Sequence, residues 1–274
     1  MKRNKKNISR IEEAFVKAAE KGEKAFIPFV TAGDPNIKLS ESIILELTKA
    51  GADLIELGIP FSDPMADGPT IQASSDRALK HKTTIKDVIA LVKSVRSKGC
   101  EVPIILFGYY NPIFVFGVER FAREAAKAGV DGALVVDLPP EESLELLEPL
   151  KANGMDLIFT LTPTSNAERM RRVSKLASGF IYYVAVTGVT GARGKVATKL
   201  KESIKRIRRY SKLPVAIGFG ISTPEQVQSV SRWGDGVIVG SAIIDRIAKE
   251  KKDKELPKKI GRFVKALKKG TKSC

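Results

Sequence analysis

Cysteine and histidine are nearly absent from this chain of 274 residues, which holds two cysteines, Cys100 and Cys274, and one histidine, His81. Two cysteines cannot build a disulfide framework or a paired metal-ligand spacing, and their scarcity fits a reducing compartment, so the cytoplasm is the expected location. His81 stands between Lys80 and Lys82, where an exposed position is expected, and a His-based triad or a histidine metal site is not expected. The spacing of the carboxylates favours no divalent cation, so no metal is expected. No apolar run of the roughly 20 residues needed to span a membrane is present, and none follows the basic N-terminus as in a signal peptide. A soluble protein without a membrane anchor is expected.

Acidic residues are also in deficit, and the formal net charge is +16. The excess sits at the two ends. Residues 1–10 carry five basic and no acidic residues, and residues 249–274 carry eleven basic against three acidic. The body between them is nearly balanced, with 31 basic and 28 acidic residues. No aromatics are interleaved with the terminal lysines as a base-stacking platform requires, so nucleic acid is not the expected partner. A modest positive field would still help recruit an anionic substrate. Residues 1–7 and about 270–274 are expected to be flexible basic ends of one domain spanning 1–274.

Short apolar runs rich in β-branched residues alternate with longer stretches of helical period. The runs fall at 25–31, 53–58, 102–108, 132–137, 156–161, 179–186, 213–218 and 235–240. Their continuous apolar character suits strands buried on both faces. A turn recurs before four of them, in Gly51-Ala52-Asp53, Gly129-Val130-Asp131, Gly154-Met155-Asp156 and Gly234-Asp235, where glycine would take the left-handed conformation that ends a helix. Thr223-Pro224-Glu225-Gln226 reads as a capping box opening a helix. Eight such units predict an α/β protein, a closed (β/α)₈ TIM barrel with an additional N-terminal helix near 8–21 and an insertion after strand two. A doubly wound open sheet would usually carry a Gly-rich turn after its first strand, and Thr31-Ala32-Gly33-Asp34-Pro35 does not match it.

Barrel chemistry is carried at the C-terminal ends of the strands and in the loops that follow. Glu56 closes an apolar strand, where desolvation would raise its pKa toward general acid/base work; a salt-bridged, outward glutamate fits the residue alone equally well. The loop after it is stiffened by Pro60, Pro64 and Pro69 and holds Asp63 and Asp67, either of which also reads as a loop-capping aspartate. Gly188 to Gly191, Gly218 to Gly220 and Gly240-Ser241 follow three successive strands. Glycines there let backbone N–H groups approach a phosphate, with a helix N-terminus behind strand eight. Ordinary turn glycine is the competing reading of each motif singly. Tyr109-Tyr110 and Tyr182-Tyr183 pack or line a pocket, with core packing the default.

The segment Glu56-Leu57-Gly58-Ile59-Pro60-Phe61-Ser62-Asp63-Pro64-Met65-Ala66-Asp67-Gly68-Pro69-Thr70-Ile71-Gln72 closely resembles the signature of tryptophan synthase alpha chains. The resemblance continues at Phe29 to Pro35, Tyr110-Asn111-Pro112, Val136 to Pro139, Gly188 to Gly191, Gly218 to Ile221 and Gly240 to Ala242. It implies a lyase that cleaves indole-3-glycerol phosphate to indole and glyceraldehyde 3-phosphate, with Glu56 as general acid/base and Asp67 accepting the indole N–H. It implies further that Tyr182 borders Glu56, that Thr190 bonds Asp67, that Phe29 and Phe219 sandwich the indole, and that Gly191, Gly220, Gly240 and Ser241 hold the phosphate. The family works as an αββα complex, so a beta chain is the implied partner, with Asp63, Pro64, Asn111 and Pro139 at the contact. Pyridoxal phosphate would belong to that partner, and no cofactor is expected in this chain. The chain departs from the family pattern at Val186-Thr187, where many members carry an arginine before the lid. Isomerase or other aldol-type chemistry on a phosphorylated sugar is a second enzymatic reading of the same parts, and activation of the partner a third, non-enzymatic one.

Overall fold

A computed structural model describes residues 8–185, 193–218, 220–251 and 253–272, with the side chains of 193–197 outside the description. The elements run α1 (Arg10–Glu20), β1 (Ala25–Thr31), α2 (Ile37–Lys49), β2 (Ile55–Gly58), α3 (Pro69–Lys80), α4 (Ile85–Ser97), β3 (Ile104–Gly108), α5 (Tyr110–Phe116), α6 (Val118–Ala128), β4 (Gly132–Val135) and α7 (Leu144–Ala152). They continue with β5 (Asp156–Leu161), α8 (Ala167–Leu176), β6 (Ile181–Val184), α9 (Arg193–Arg208), β7 (Val215–Gly218), α10 (Pro224–Ser231), β8 (Gly236–Val239), α11 (Ser241–Glu250), α12 (Leu256–Lys268) and a 3₁₀ turn (Lys269–Thr271). All eight strands are parallel and close in sequence order, β8 pairing back onto β1 with Ala25 opposite Gly236. The (β/α)₈ barrel read from the periodicity is therefore the fold, and the insertion after β2 is the helix α3.

Two apolar layers hold the barrel. Outside it, the strands' outward side chains pack against the helices. Inside, Ile27, Leu54, Ile105, Leu134, Ile158 and Phe180 fill the barrel together with Ile11, Ala14, Phe15 and Ala18 of α1. The N-terminal helix is thus a plug in the floor of the barrel. Its start is set by Ser9, whose hydroxyl accepts from Glu12 N, and Phe15 lies 5.5 Å from Phe180, ring centre to ring centre. With its floor sealed and its centre filled, the barrel is open to a ligand at the C-terminal mouth.

The recurrent turn before the strands has two functions. Gly51, Gly129 and Gly154 take the left-handed conformation, with φ of 94°, 92° and 72°. Gly234 does not, contrary to the reading of the repeat; its role is space, because a Cβ there would lie 2.8 Å from Ile217 Cδ1. Three of the four aspartates that follow cap the sheet floor. Asp53 accepts from Phe26 N at 2.7 Å, Asp131 from Ile104 N at 2.8 Å and Asp235 from Val215 N at 2.9 Å. Each thereby satisfies a strand-end N–H that would otherwise lack a partner. Several strands start later than the apolar runs do. Pro103 and Pro214 have no N–H to give the ladder, so β3 and β7 begin at the residue after each. At Thr223 both arms of the capping box are present.

The chain end differs from expectation. Gly270 and Thr271 are buried, Thr271 O accepts from Lys24 N, and Glu23 pairs with Lys272 in an antiparallel bridge. Lys268 binds both Glu23 and Asp53. Basic composition suggested a loose tail from about residue 270, but the lysine ammonium is anchored by two carboxylates and the backbone behind it is packed as far as Lys272. Residues 1–7 and 273–274 lie outside the described residues.

Candidate active site

Glu56 lies in β2 between Phe29 of β1 and Ile105 of β3, its register partners, and points into the barrel mouth. It is 1% exposed, and its Oε1 has no hydrogen-bond partner among the described residues. An ionised carboxylate in that position would lose its hydration without compensation, so burial pushes the Glu56 carboxyl up to about 8. At neutral pH it is a protonated acid that can give up its proton and take it back. Among the described residues it makes no salt bridge.

A cavity of about 150 Å³ opens above it, lined by Glu56, Asp67, Phe29, Tyr182, Gly240 and Ser241, with Gly220 at its rim. Two glycines make room for its walls. A Cβ on Gly218 would sit 2.3 Å from Tyr182 Oη, and one on Gly58 would sit 2.7 Å from Phe29 Cζ. The aromatic side chains fill the space that β7 and β2 leave empty. Burial and the nearby Glu56 and Asp67 raise the Tyr182 phenol well above its ordinary value, so it stays neutral. Phe29 meets Phe107 edge-on at 5.2 Å.

Asp67 reaches the cavity from the loop before α3. Gly68 is the N-cap of that helix and Pro69 its first residue, so the carboxylate lies beside the helix's positive end. Asp67 N donates to Pro64 O at 3.0 Å, and Gln72 Nε2 donates to Asp67 O at 2.8 Å. Burial raises the Asp67 carboxyl, and a hydrogen bond from Tyr109 Oη, at 3.1 Å, opposes that rise. The helix is tied to β1 by contacts that sequence reading missed. Thr31 Oγ1 lies 2.6 Å from Ser74 Oγ, and Arg77 grips the fully buried Asp34 carboxylate with Nε at 2.7 Å and Nη2 at 2.8 Å. Burial raises the Asp34 carboxyl while the Arg77 guanidinium pulls it down. Polar residues recurring on the inner face of α3 at Ser74 and Arg77 are the signal that could have indicated these ties.

Opposite the two carboxylates, α11 starts at Ser241 with Gly240 as its N-cap, so the first helical N–H groups face the cavity rim. A helix start of this kind suits an anion, and Thr70 Oγ1 donates to Asp245 Oδ1 at 3.1 Å, joining α11 to α3. Of the residues read from the sequence as a site, Glu56, Asp67, Phe29, Tyr182, Gly220, Gly240 and Ser241 are brought together here. Thr190, Gly191 and Phe219 lie outside the described residues, as does Val186-Thr187. Ile71, Phe107, Ile221 and Ile238 complete the apolar lining and were missed because they are indistinguishable from core in the sequence.

Fold and site together define a (β/α)₈-barrel enzyme with a buried internal acid, a second carboxylate in the same cavity and a helix N-terminus at its rim. The family model described as tryptophan synthase alpha chain matches residues 15–272, and the chain belongs to that family. The alpha chain of Geotalea uraniireducens is 54% identical over 97% of this chain and 99% of its own, and that of Citrifermentans bemidjiense 56% identical over 96% and 98%. A crystal structure of the alpha subunit from Legionella pneumophila superimposes with a TM-score of 0.87 at 39% identity, covering 97% of this chain and 99% of that one. The activity of the chain is accordingly the lyase reaction on indole-3-glycerol phosphate, in the service of tryptophan synthesis.

Proposed function

We propose that Glu56 and Asp67 divide the cleavage of indole-3-glycerol phosphate between them, a reading carried by the buried Glu56 carboxyl, whose Oε1 has no partner among the described residues, sharing one cavity with Asp67. Glu56 delivers its proton to carbon 3 of the indole ring. The positive charge that develops at the ring nitrogen is stabilised by Asp67, which accepts the N–H hydrogen bond. The Glu56 carboxylate then takes the proton of the glycerol hydroxyl. The O–H electrons become the carbonyl, the carbon–carbon bond breaks, and its electron pair returns to the ring. Indole and glyceraldehyde 3-phosphate leave with Glu56 protonated again, so the cycle needs no external proton. Phe29 and Tyr182 wall the indole, with Phe219 opposite Phe29. Gly220, Gly240, Ser241 and Gly191 take the phosphate, and Thr190 bonds Asp67.

The partner in this reading is a tryptophan synthase beta chain in an αββα complex, which holds the pyridoxal phosphate and receives the indole. This chain, one domain over 1–274, holds no cofactor or metal of its own and works in the cytoplasm; no described helix is long and apolar enough to cross a membrane. The contact surface is supported by the rim around β2 to β4. Asp63 and Asn111 are exposed there and Pro64 and Pro139 half-buried. Beside them Met65 (85%), Val115 (77%) and Phe114 (57%) expose apolar side chains to solvent. Large exposed apolar residues gathered on one rim mark an interaction surface.

The test is indole release by the purified chain, wild type beside Glu56→Gln and Asp67→Asn, each with and without a beta chain. Release by wild type, faster with the partner and abolished by Glu56→Gln in a folded chain, supports the reading. Unimpaired Glu56→Gln would overturn the mechanism.

A further inference from the structure

Asp67 has to present an ionised carboxylate at one point of a cavity from a loop. Among the described residues the side chain that reaches this carboxylate is that of Tyr109, 42 positions further along the chain. Tyr109 is 2% exposed and packs its ring on Phe61 at 5.1 Å. Its hydroxyl accepts from Ala66 N at 3.0 Å, so its own proton is directed away from that N–H and toward Asp67 Oδ2. One hydroxyl thus grips both the backbone and the side chain of the loop.

We propose that Tyr109 is the positioning residue for Asp67, holding the loop closed on its backbone and aiming its carboxylate at the indole nitrogen; this rests on Asp67 being the acceptor of the indole N–H. A hydroxyl donor favours the ionised carboxylate, opposing the effect of burial. The ionisable groups facing this region are Glu56 and Tyr182 across the cavity and Asp137 behind Tyr109. With Glu56 and Tyr182 both neutral, Tyr109 is the donor that favours charge on Asp67. Tyr109 also precedes α5, whose first amide, Tyr110 N, donates to Asp137 Oδ1 at 2.8 Å. The backbone beside Tyr109 is therefore tied to the loop after β4.

The experiment is steady-state cleavage of indole-3-glycerol phosphate by the full chain with a beta chain present, across pH 5.5 to 9, for wild type, Tyr109→Phe, Asp67→Asn and the double variant. Tyr109→Phe keeps the ring and removes both hydrogen bonds. It should lower kcat about 10- to 100-fold with little change in KM, since a misplaced group costs rate more than binding. The acid limb of its profile should move to higher pH, because the bond that depresses the Asp67 carboxyl is gone. Added to Asp67→Asn, it should cost nothing more. A purely structural tyrosine would lower the melting temperature and leave the acid limb in place, and that result overturns the proposal. If Asp67→Asn is inactive while Tyr109→Phe retains wild-type kcat and pH profile, the proposal fails and the role of Asp67 stands; if Asp67→Asn is as active as wild type, the reading of Asp67 fails and this inference with it. Should Tyr109→Phe not fold, 3-fluorotyrosine at position 109 keeps the shape and makes a stronger donor. The acid limb should then move to lower pH, and an unmoved limb overturns the proposal.

Discussion

Phe29 and Glu56 are register partners on adjacent parallel strands, so the ring and the carboxyl point into the same side of the barrel at the same height. The ring is held beside the acid by the hydrogen-bond ladder of the sheet itself. A slip of either strand by one residue would turn its own side chain to the other face of the sheet and part the pair. The acid strength of Glu56 is thereby a property of the barrel, set by strand register before any substrate arrives.

Replacing Glu56 by Gln keeps shape and removes the transferable proton. Indole release should fall about 10³-fold or more, within the range of lost general acid/base catalysis, while the circular dichroism spectrum is unchanged. Rapid-quench measurement of a single turnover separates this loss from slow product release.

The same substitution should stabilise the protein at alkaline pH. The Glu56 carboxyl titrates at about 8 in the folded chain, against an ordinary value of 4.5. The folded state therefore holds a proton that the unfolded state has lost, and wild-type stability falls as pH rises through that window. By linkage the cost reaches about 4 kcal/mol near pH 8 and vanishes near pH 4. Glu56→Gln should melt above wild type at pH 8 and level with it at pH 4, and equal melting at both would rule out the raised pKa.

A methyl group at Gly218 would occupy the position of the Tyr182 hydroxyl. Gly218→Ala should push that ring into the cavity, cost about 1–3 kcal/mol as overpacking does, and raise KM for the substrate. The double variant with Tyr182→Phe should recover part of the stability, which denaturant titration would measure.

Arg77→Met leaves the Asp34 carboxylate buried without its partner. Breaking such a pair costs about 3–5 kcal/mol. The deficit should shrink at low pH, where Asp34 takes up a proton and no longer carries a buried charge. Urea melts at pH 4 and 7 would read the difference, and a deficit independent of pH would count against the ion pair as its source.

Val115→Asp places a charge on the exposed apolar rim, at a side chain that is 77% exposed. Binding to a beta chain should weaken at least about tenfold, as for an anchor in a contact core, with melting temperature unaltered. Calorimetric titration is the direct check, and unchanged affinity would move the contact elsewhere on the rim.

Much of this molecule is determined by its sequence through short-range signals. The eight strands are apolar runs, the left-handed turns at Gly51, Gly129 and Gly154 are local, and the capping box at Thr223 spans four residues. The motif from Glu56 to Gln72 names both carboxylates because they lie in one strand and the loop that follows it. Tertiary structure decided what depends on distant residues meeting. Glu56 is a protonated acid because the closed barrel removes its water. Tyr109 meets Asp67 and Arg77 meets Asp34 across about 40 residues of chain, since parallel neighbours in a barrel are separated by whole βα units. Helix α1 shows an amphipathic face in sequence, but only the closed barrel supplies the floor it plugs. The basic tail read as loose because composition registers charge but not partners, and Lys268 finds Glu23 and Asp53 only once the ends of the chain are brought together.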